Sequence, residues 1–501
     1  MSAKQKLKHP IFLDQVRLLC ALIIIWLVVA FVLPLHYIQD EKGDLLLNGD
    51  SSANTIPSGP WKIIKPATKH QVEGYTSSDS VTPGSTIGLN VSCSVPSYFT
   101  TDIFRMGYYK SAGATLVQHL GKRSCSKQPF VFNPTVGMID TFWKQSQHVV
   151  TGRQWQPGFY LARLTNGAGY QSYVPFVVKS PKPTSRILFV DAVATSEAYN
   201  DWGGDSLYTG HTPAASVDRG LVVSLNRPYS TNYGAGDFLT WEYPMIRYLE
   251  RYGFKVDYAT DININQDPQM LLAYKSIVIA GHDEYWTWPM LNGYKAAVDS
   301  GVNLAVFGAN TDYRPTRIQP DRYTGQGNRN IACYKAIQLD PAWRAYYNNT
   351  FALNPKPASD FQITGYNWWW GPFSQPESLI LGESFGGMTS GDQDLIVSDN
   401  SSWIFKGTGL QNGDKLPRLV GYEFDRSNPN FPQPPGVKSV FSSLLSDGST
   451  SNSTYYVSSG GGQVFDAGTV QWSWGLDPSY SSYYNPKLVE ITNNILTRFS
   501  Q

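Results

Sequence analysis

Apolar and polar positions change rhythm repeatedly along the chain. The first pattern is a block: Leu18-Leu-Cys-Ala-Leu-Ile-Ile-Ile-Trp-Leu-Val-Val-Ala-Phe-Val-Leu-Pro-Leu35 carries no charge over 18 residues. As a helix it would span about 27 Å, enough for a bilayer core, and it reads as a transmembrane signal-anchor. Lys4, Lys6, Lys8 and Arg17 precede it, while Asp40, Glu41 and Asp44 follow. The positive-inside rule then puts residues 1–17 in the cytoplasm and the body outside, as a single-pass plasma-membrane protein. A cleavable signal peptide is the alternative; the run is long for one and no small-x-small cleavage site follows it.

Residues 36–70 hold Gly, Ser, Asn, Pro and Lys without periodicity and read as a stalk. Between 71 and 180 the pattern alternates in short runs, at Thr86–Ser92, Asp102–Tyr108, Gly158–Leu164 and Tyr173–Val178, separated by turn residues. That spacing predicts a β-sandwich domain. After Lys179-Ser-Pro-Lys-Pro-Thr184 the rhythm becomes strand and helix by turns. Apolar strands are expected at Arg186–Asp191, Phe254–Tyr258, Ser276–Ala280 and Asn303–Phe307, with helices at Phe238–Tyr252 and Trp288–Asp299. The expectation for 181–501 is a doubly wound, mostly parallel α/β domain. Residues 320–500 crowd Trp, Tyr, Gly and Asn into short runs that define no topology.

Composition narrows the function classes. With 42% hydrophobic and 16% charged residues over 501, the chain is globular and too long for one ordinary core. A net charge of +1 leaves no field that would draw nucleic acid. The 31 Tyr and 15 Trp suit exported and carbohydrate-facing proteins without deciding between them. Of the four cysteines, Cys20 lies in the apolar block and Cys333 has no evident partner. Cys93 and Cys125 fall in one domain and are candidates for a disulfide, two separate buried thiols being the alternative. No Cys/His spacing suggests zinc.

In an open α/β sheet, ligands bind beyond the carboxyl ends of the strands. Three such ends are rich in polar groups: Thr195–Tyr208, Gly281-His-Asp-Glu-Tyr-Trp286 and Gly308–Arg317. His282 and Glu284, two apart, point the same way from an extended segment, where one can hold a metal and the other move a proton. The aromatic run Tyr366-Asn-Trp-Trp-Trp-Gly-Pro372 offers a sugar-stacking platform or, the preferred reading, a packing cluster, since consecutive tryptophans point apart.

Several of these segments carry a resemblance. Tyr199-Asn200, Gly203-Gly204, Ser206-Leu-Tyr208, Asn226-Arg-Pro228, Trp241-Glu242, Gly281–Trp286, Asn310, Gly421-Tyr-Glu423 and Val464-Phe-Asp-Ala-Gly468 look like the large (beta) subunit of the N,N-dimethylformamidase family, in order over roughly residues 70–500. The resemblance implies a glutamine-amidotransferase-like α/β domain and ferric iron (Fe3+) held by two tyrosinates and a carboxylate. Tyr199, Tyr208 and Glu284 would be those ligands, with Tyr229 and Tyr243 as substitutes for Tyr208. His282 and Glu423 would transfer protons, and Asn310 would bind substrate. Phenolate and carboxylate are hard donors suited to such an ion. Where relatives tend to carry a Tyr-Trp pair, this chain has Asp312-Tyr-Arg-Pro.

Two functions are therefore expected in competition. One is an extracytoplasmic iron-dependent amidohydrolase acting on a small amide, with a homo-oligomer or a small second subunit as partner. The other is a surface module that holds a glycan or cell-wall component in the same crevice without turning it over. Convergence of Tyr199, Tyr208, His282, Glu284 and Glu423 would favour the first; a Trp- and Tyr-lined crevice with those groups scattered would favour the second.

Overall fold

Alternating residues such as Ile87, Leu89 and Val91 can bury one face only by joining a sheet, and the first layers of the body form this way. The computed structural model describes residues 59–501. A three-stranded sheet of Glu73–Thr76, Thr86–Ser92 and Gln145–Val150 faces a five-stranded one built around Gln171–Val178, Gly158–Asn166, Ser97–Met106 and Ala114–Cys125. Between them lie Ile87, Leu89, Val91, Phe99, Ile103, Leu164 and Val174. Cys93, just past a strand of the first sheet, is disulfide-bonded to Cys125, at the end of a strand of the second, so the bond ties the two layers together. Trp61, inside the stretch expected as a stalk, is 1% exposed and donates from its indole to Ala112 O at 2.9 Å.

A seven-stranded sheet follows, in the order Val256–Thr260, Ile187–Asp191, Ser276–His282, Asn303–Ala309, Gln463–Asp466, Thr450–Val457, Lys438–Leu444. Its first five strands run parallel; the last two join through antiparallel pairings. Both faces are covered. Val278, Ala280 and Phe307 pack toward Tyr243, Ile246, Leu249 and the C-terminal Pro486–Phe499 helix. Ile277, Ile279 and Leu304 pack toward Met290, Leu291 and Tyr294 of the Trp288–Asp299 helix. Phe104, Met106 and Phe159 of the sandwich join the first of these clusters, so the two regions share one core.

The strands expected at 186–191, 254–258, 276–280 and 303–307 and the helix at 288–299 form close to those bounds. The doubly wound, mostly parallel α/β domain does not: the described residues are mostly β-sheet with few helices. The reason lies between the sheet strands. Segments that a doubly wound unit would give to crossover helices are rich in Gly, Pro, Asn and aromatics, and here they build a second, four-stranded sheet from Val222–Ser224, Asn330–Ala332, Arg314–Gln319 and Tyr285–Thr287, with two small two-stranded sheets besides. The helix expected over 238–252 breaks into Phe238–Trp241 and Tyr243–Arg251, with Pro244 in the first turn of the second, where its missing N–H is tolerated.

The apolar Leu18–Leu35 run lies outside the described residues. Among those described, no helix is long and apolar enough to cross a membrane. The single-pass plasma-membrane placement, read from that run and the charges flanking it, is therefore not supported by the described residues.

Candidate active site

The site is assembled where parallel strands end. His282 closes the Ser276–His282 strand, held in register opposite Ala309. The chain then turns into Tyr285–Thr287, which pairs with Arg314–Gln319, so Glu284 comes to lie beside Arg314. Tyr199 is the last residue of the Val193–Tyr199 helix, and the loop after it folds back, Leu207 N donating to Ala198 O at 3.0 Å, to bring Tyr208 alongside. The two phenol rings stack with centroids 4.3 Å apart. Glu423 opens the Glu423–Arg426 strand. Asn310 takes φ +52°, a left-handed conformation that asparagine tolerates better than most residues.

These side chains meet. Tyr199 Oη donates to Glu284 Oε2 at 2.8 Å, and Tyr208 Oη reaches Oε2 at 2.8 Å and Oε1 at 2.9 Å. Arg314 Nε donates to Oε1 at 2.8 Å. His282 Nε2 lies 3.0 Å from Glu423 Oε2 and 3.6 Å from Glu284 Oε2. Asn310 Nδ2 donates to the same Glu423 oxygen at 3.0 Å, so it and the imidazole nitrogen converge to 3.2 Å on a shared acceptor. Glu284 is 1% exposed, Glu423 4% and His282 5%.

Burial sets the electrostatics. Desolvation alone would lower the His282 pKa, but the charges of Glu423 and Glu284, the bond to Glu423 and the charge of Asp237 outweigh it and raise the value to about 9. Desolvation pushes Glu284 upward; Arg314, His282, Lys335 and the Tyr208 hydroxyl reverse that and hold it below its ordinary value. Both phenols are driven well above theirs by desolvation and then by the Glu284 charge. As they stand they are neutral donors to an ionised carboxylate, and only an added cation would make phenolates of them.

Arg314 and Lys335 escaped the sequence reading as functional residues. Lys335 is 4% exposed with its Nζ 3.3 Å from the Tyr208 ring centroid. Arg314 had a signal, since it occupies the Asp312-Tyr-Arg-Pro departure; Lys335 had none. Of the substitutes for Tyr208, Tyr243 donates to Gly113 O, and Tyr229 lines a partly open cavity of about 50 Å³ beside Asp191, Glu197 and Arg227. The tryptophan run divides. Trp368 is buried against Trp288, whereas Trp369 and Trp370 are 40% and 51% exposed. Among the described residues no three His, Cys, Asp or Glu side chains are grouped to hold a metal; the oxygen set here depends on its two phenols.

Comparison with known proteins covers the segments that carry these side chains. Residues 100–485 match the family described as N,N-dimethylformamidase beta subunit-like, C-terminal. The N,N-dimethylformamidase beta subunit of Paracoccus aminophilus is 22% identical over 443 residues, covering 72% of this chain and 54% of that one. The protein of the same name from Alcaligenes sp. is 23% identical over 341 residues, covering 59% and 42%. The chain thus spans about half the length of these curated relatives. Among solved structures, a Paenibacillus sp. cycloisomaltooligosaccharide glucanotransferase complexed with cycloisomaltoheptaose covers 56% of this chain and 36% of its own at 10% identity, with a TM-score of 0.16, a likeness too slight to bear on fold or function.

Proposed function

The chain belongs to the N,N-dimethylformamidase beta subunit-like family, and from that premise we propose that it hydrolyses the C–N bond of a small amide at the buried group of His282, Glu284 and Glu423. The observation that carries this reading is convergence: five groups from four separated segments meet through contacts of 2.8 to 3.6 Å in a buried place. A glycan platform would not require an ion-paired imidazole at its floor.

Tyr199, Tyr208 and Glu284 are the residues that would hold iron. They fit such an ion in kind, three hard oxygens sharing Glu284 Oε2 as their common point, with Arg314 occupying the other carboxylate oxygen. When bound, the ion supplies Lewis acidity, polarising the amide carbonyl and acidifying water. The rest is done by the chain. Glu423 accepts a proton from the attacking water, and His282, protonated near neutral pH, gives one to the departing nitrogen. Transfer across the 3.0 Å Glu423–His282 contact restores both groups. Overall, amide and water become carboxylate and ammonium. Asn310 steadies Glu423 through Nδ2, while its buried Oδ1 has no hydrogen-bond partner among the described residues and suits a substrate N–H.

Since the curated relatives are named beta subunits, a second kind of subunit belongs to this reading, with a homo-oligomer as the alternative. The test is amine release from formamide, acetamide and their N-methyl derivatives by the purified full chain. Release above that of His282→Ala is expected for at least one; equal rates across the panel contradict the reading.

A further inference from the structure

Just beyond the proton-transfer pair lies a carboxylate that the mechanism above does not use. Asp237 ends the turn before the Phe238–Trp241 helix and is partly exposed. Among the described residues its carboxylate makes no hydrogen bond and no ion pair, and it does not cap the helix it precedes. Trp241, one helical turn on from Asp237, packs against Gly281, the residue before His282, which brings Asp237 to the neighbourhood of that imidazole, and the two charges act on each other. A carboxylate beside a buried reaction centre, with no protein donor of its own, is set up to receive a donor from a ligand.

Its surroundings say which kind. On one side, the Tyr229 ring packs over the adjoining Gly236, where an added Cβ would come within 3.2 Å of the ring. On the other, Trp241 packs directly against Gly281, the residue before His282, and stacks on Tyr422, the residue before Glu423, with centroids 6.0 Å apart and planes 19° apart. Trp474 backs Trp241 at 5.1 Å and 6°, which fixes this plate. Tyr422 is half-buried, and among the described residues Trp241 is the one ring packed against it. The cations at the floor are committed elsewhere, Arg314 to Glu284 and Lys335 to the Tyr208 ring. Aromatic faces around an anion without a donor are the surroundings that bind an ammonium group, through charge and through the ring quadrupoles.

We propose that Asp237, between Tyr229 and the Trp241–Tyr422 plate, selects amides that carry an ammonium group close to the scissile bond. The ammonium would sit against Asp237 while the amide carbon reaches the His282–Glu423 pair. Asp237 is a specificity-determining residue in this account and takes no part in bond breaking. The proposal rests on the amide-hydrolase reading and sharpens it.

Glycinamide and propanamide test it, because they share a heavy-atom skeleton and differ in the ammonium nitrogen. Dissociation constants for both with the full chain, measured at about pH 7 by titration calorimetry or ligand-observed NMR, should favour glycinamide about tenfold, a difference of about 1.4 kcal/mol. Asp237→Asn should abolish that preference and leave propanamide binding unchanged. Tyr422→Leu should reduce it, reporting the aromatic share separately. Equal affinities in the wild type, tighter propanamide binding, or no detectable binding of either would overturn the proposal. Preferential binding of glycinamide without amine release would keep the selectivity and remove the hydrolase reading, so the two fail separately.

Discussion

Two histidine–carboxylate pairs of nearly the same length occur in different regions of this molecule. In the sandwich, His119 Nδ1 lies 2.7 Å from Asp102 Oδ1, with the side chains 58% and 20% exposed. At the end of the large sheet, His282 Nε2 lies 3.0 Å from Glu423 Oε2, with the side chains 3% and 6% exposed. The first pair stands in water, where ions are solvated whether or not they touch, and exposed pairs of that kind contribute about 0–1 kcal/mol. The second has lost its water, so its charges are answered by one another, by the Asn310 amide and by neighbouring carboxylates such as Glu284 and Asp237. Contact geometry alone does not make a reactive pair; the dielectric around it does.

Substitution should separate the two sharply. In an assay of amine release, His282→Ala or Glu423→Gln should lower kcat/KM about a thousandfold, the range expected for loss of a positioned acid or base. His119→Ala and Asp102→Asn should stay within about twofold. Comparable losses at both pairs would show that the assay reads folding. The largest stability effect is expected at Arg314→Met, which strands the buried Glu284 charge; urea unfolding should show about 3–5 kcal/mol lost.

The proton on His282 gives a third prediction. Its ordinary value of 6.5 is raised to about 9 in the fold, so the native state binds the proton more tightly than the unfolded chain does. The resulting stability is fully present below about 6.5 and is lost as pH rises through about 9. Urea midpoints from pH 6 to 9 should fall more steeply for the wild type than for Glu423→Gln, in which the main opposing charge is gone. Parallel slopes would contradict the assignment. The smallest effect is expected in the sandwich, where His119→Ala should change unfolding free energy by no more than about 1 kcal/mol.

Legibility in the sequence followed physical locality. The Ser276–His282 and Asn303–Ala309 strands and the Trp288–Asp299 helix were readable because each is a continuous apolar run or a single period. The architecture was not. Whether crossovers become helices or further sheet is decided by long-range pairing, as where Val222–Ser224 finds Asn330–Ala332 more than a hundred residues away. His282 and Glu284 were readable from their spacing, and Tyr199, Tyr208, Glu423 and Asn310 from family resemblance. Lys335 was not, since a single lysine between Ile331-Ala-Cys-Tyr334 and Ala336-Ile-Gln-Leu339 carries no local sign of the ring it will be buried over, here that of Tyr208. The break at Glu242 is signalled by Pro244 but masked in the apolar pattern, whose spacing stays in phase on either side.

In the proposed reading Tyr199, Tyr208 and Glu284, which meet at one carboxylate oxygen, would hold iron in service of amide cleavage. Iron content per chain tests it most directly, measured by elemental analysis on full-length protein expressed with ample iron and then dialysed against a weak chelator. The account predicts close to one iron per wild-type chain, with a tyrosinate charge-transfer band in the visible, and less than about a tenth in Glu284→Ala. Wild-type protein with less than about a tenth of an iron, or Glu284→Ala retaining the wild-type amount, would contradict it.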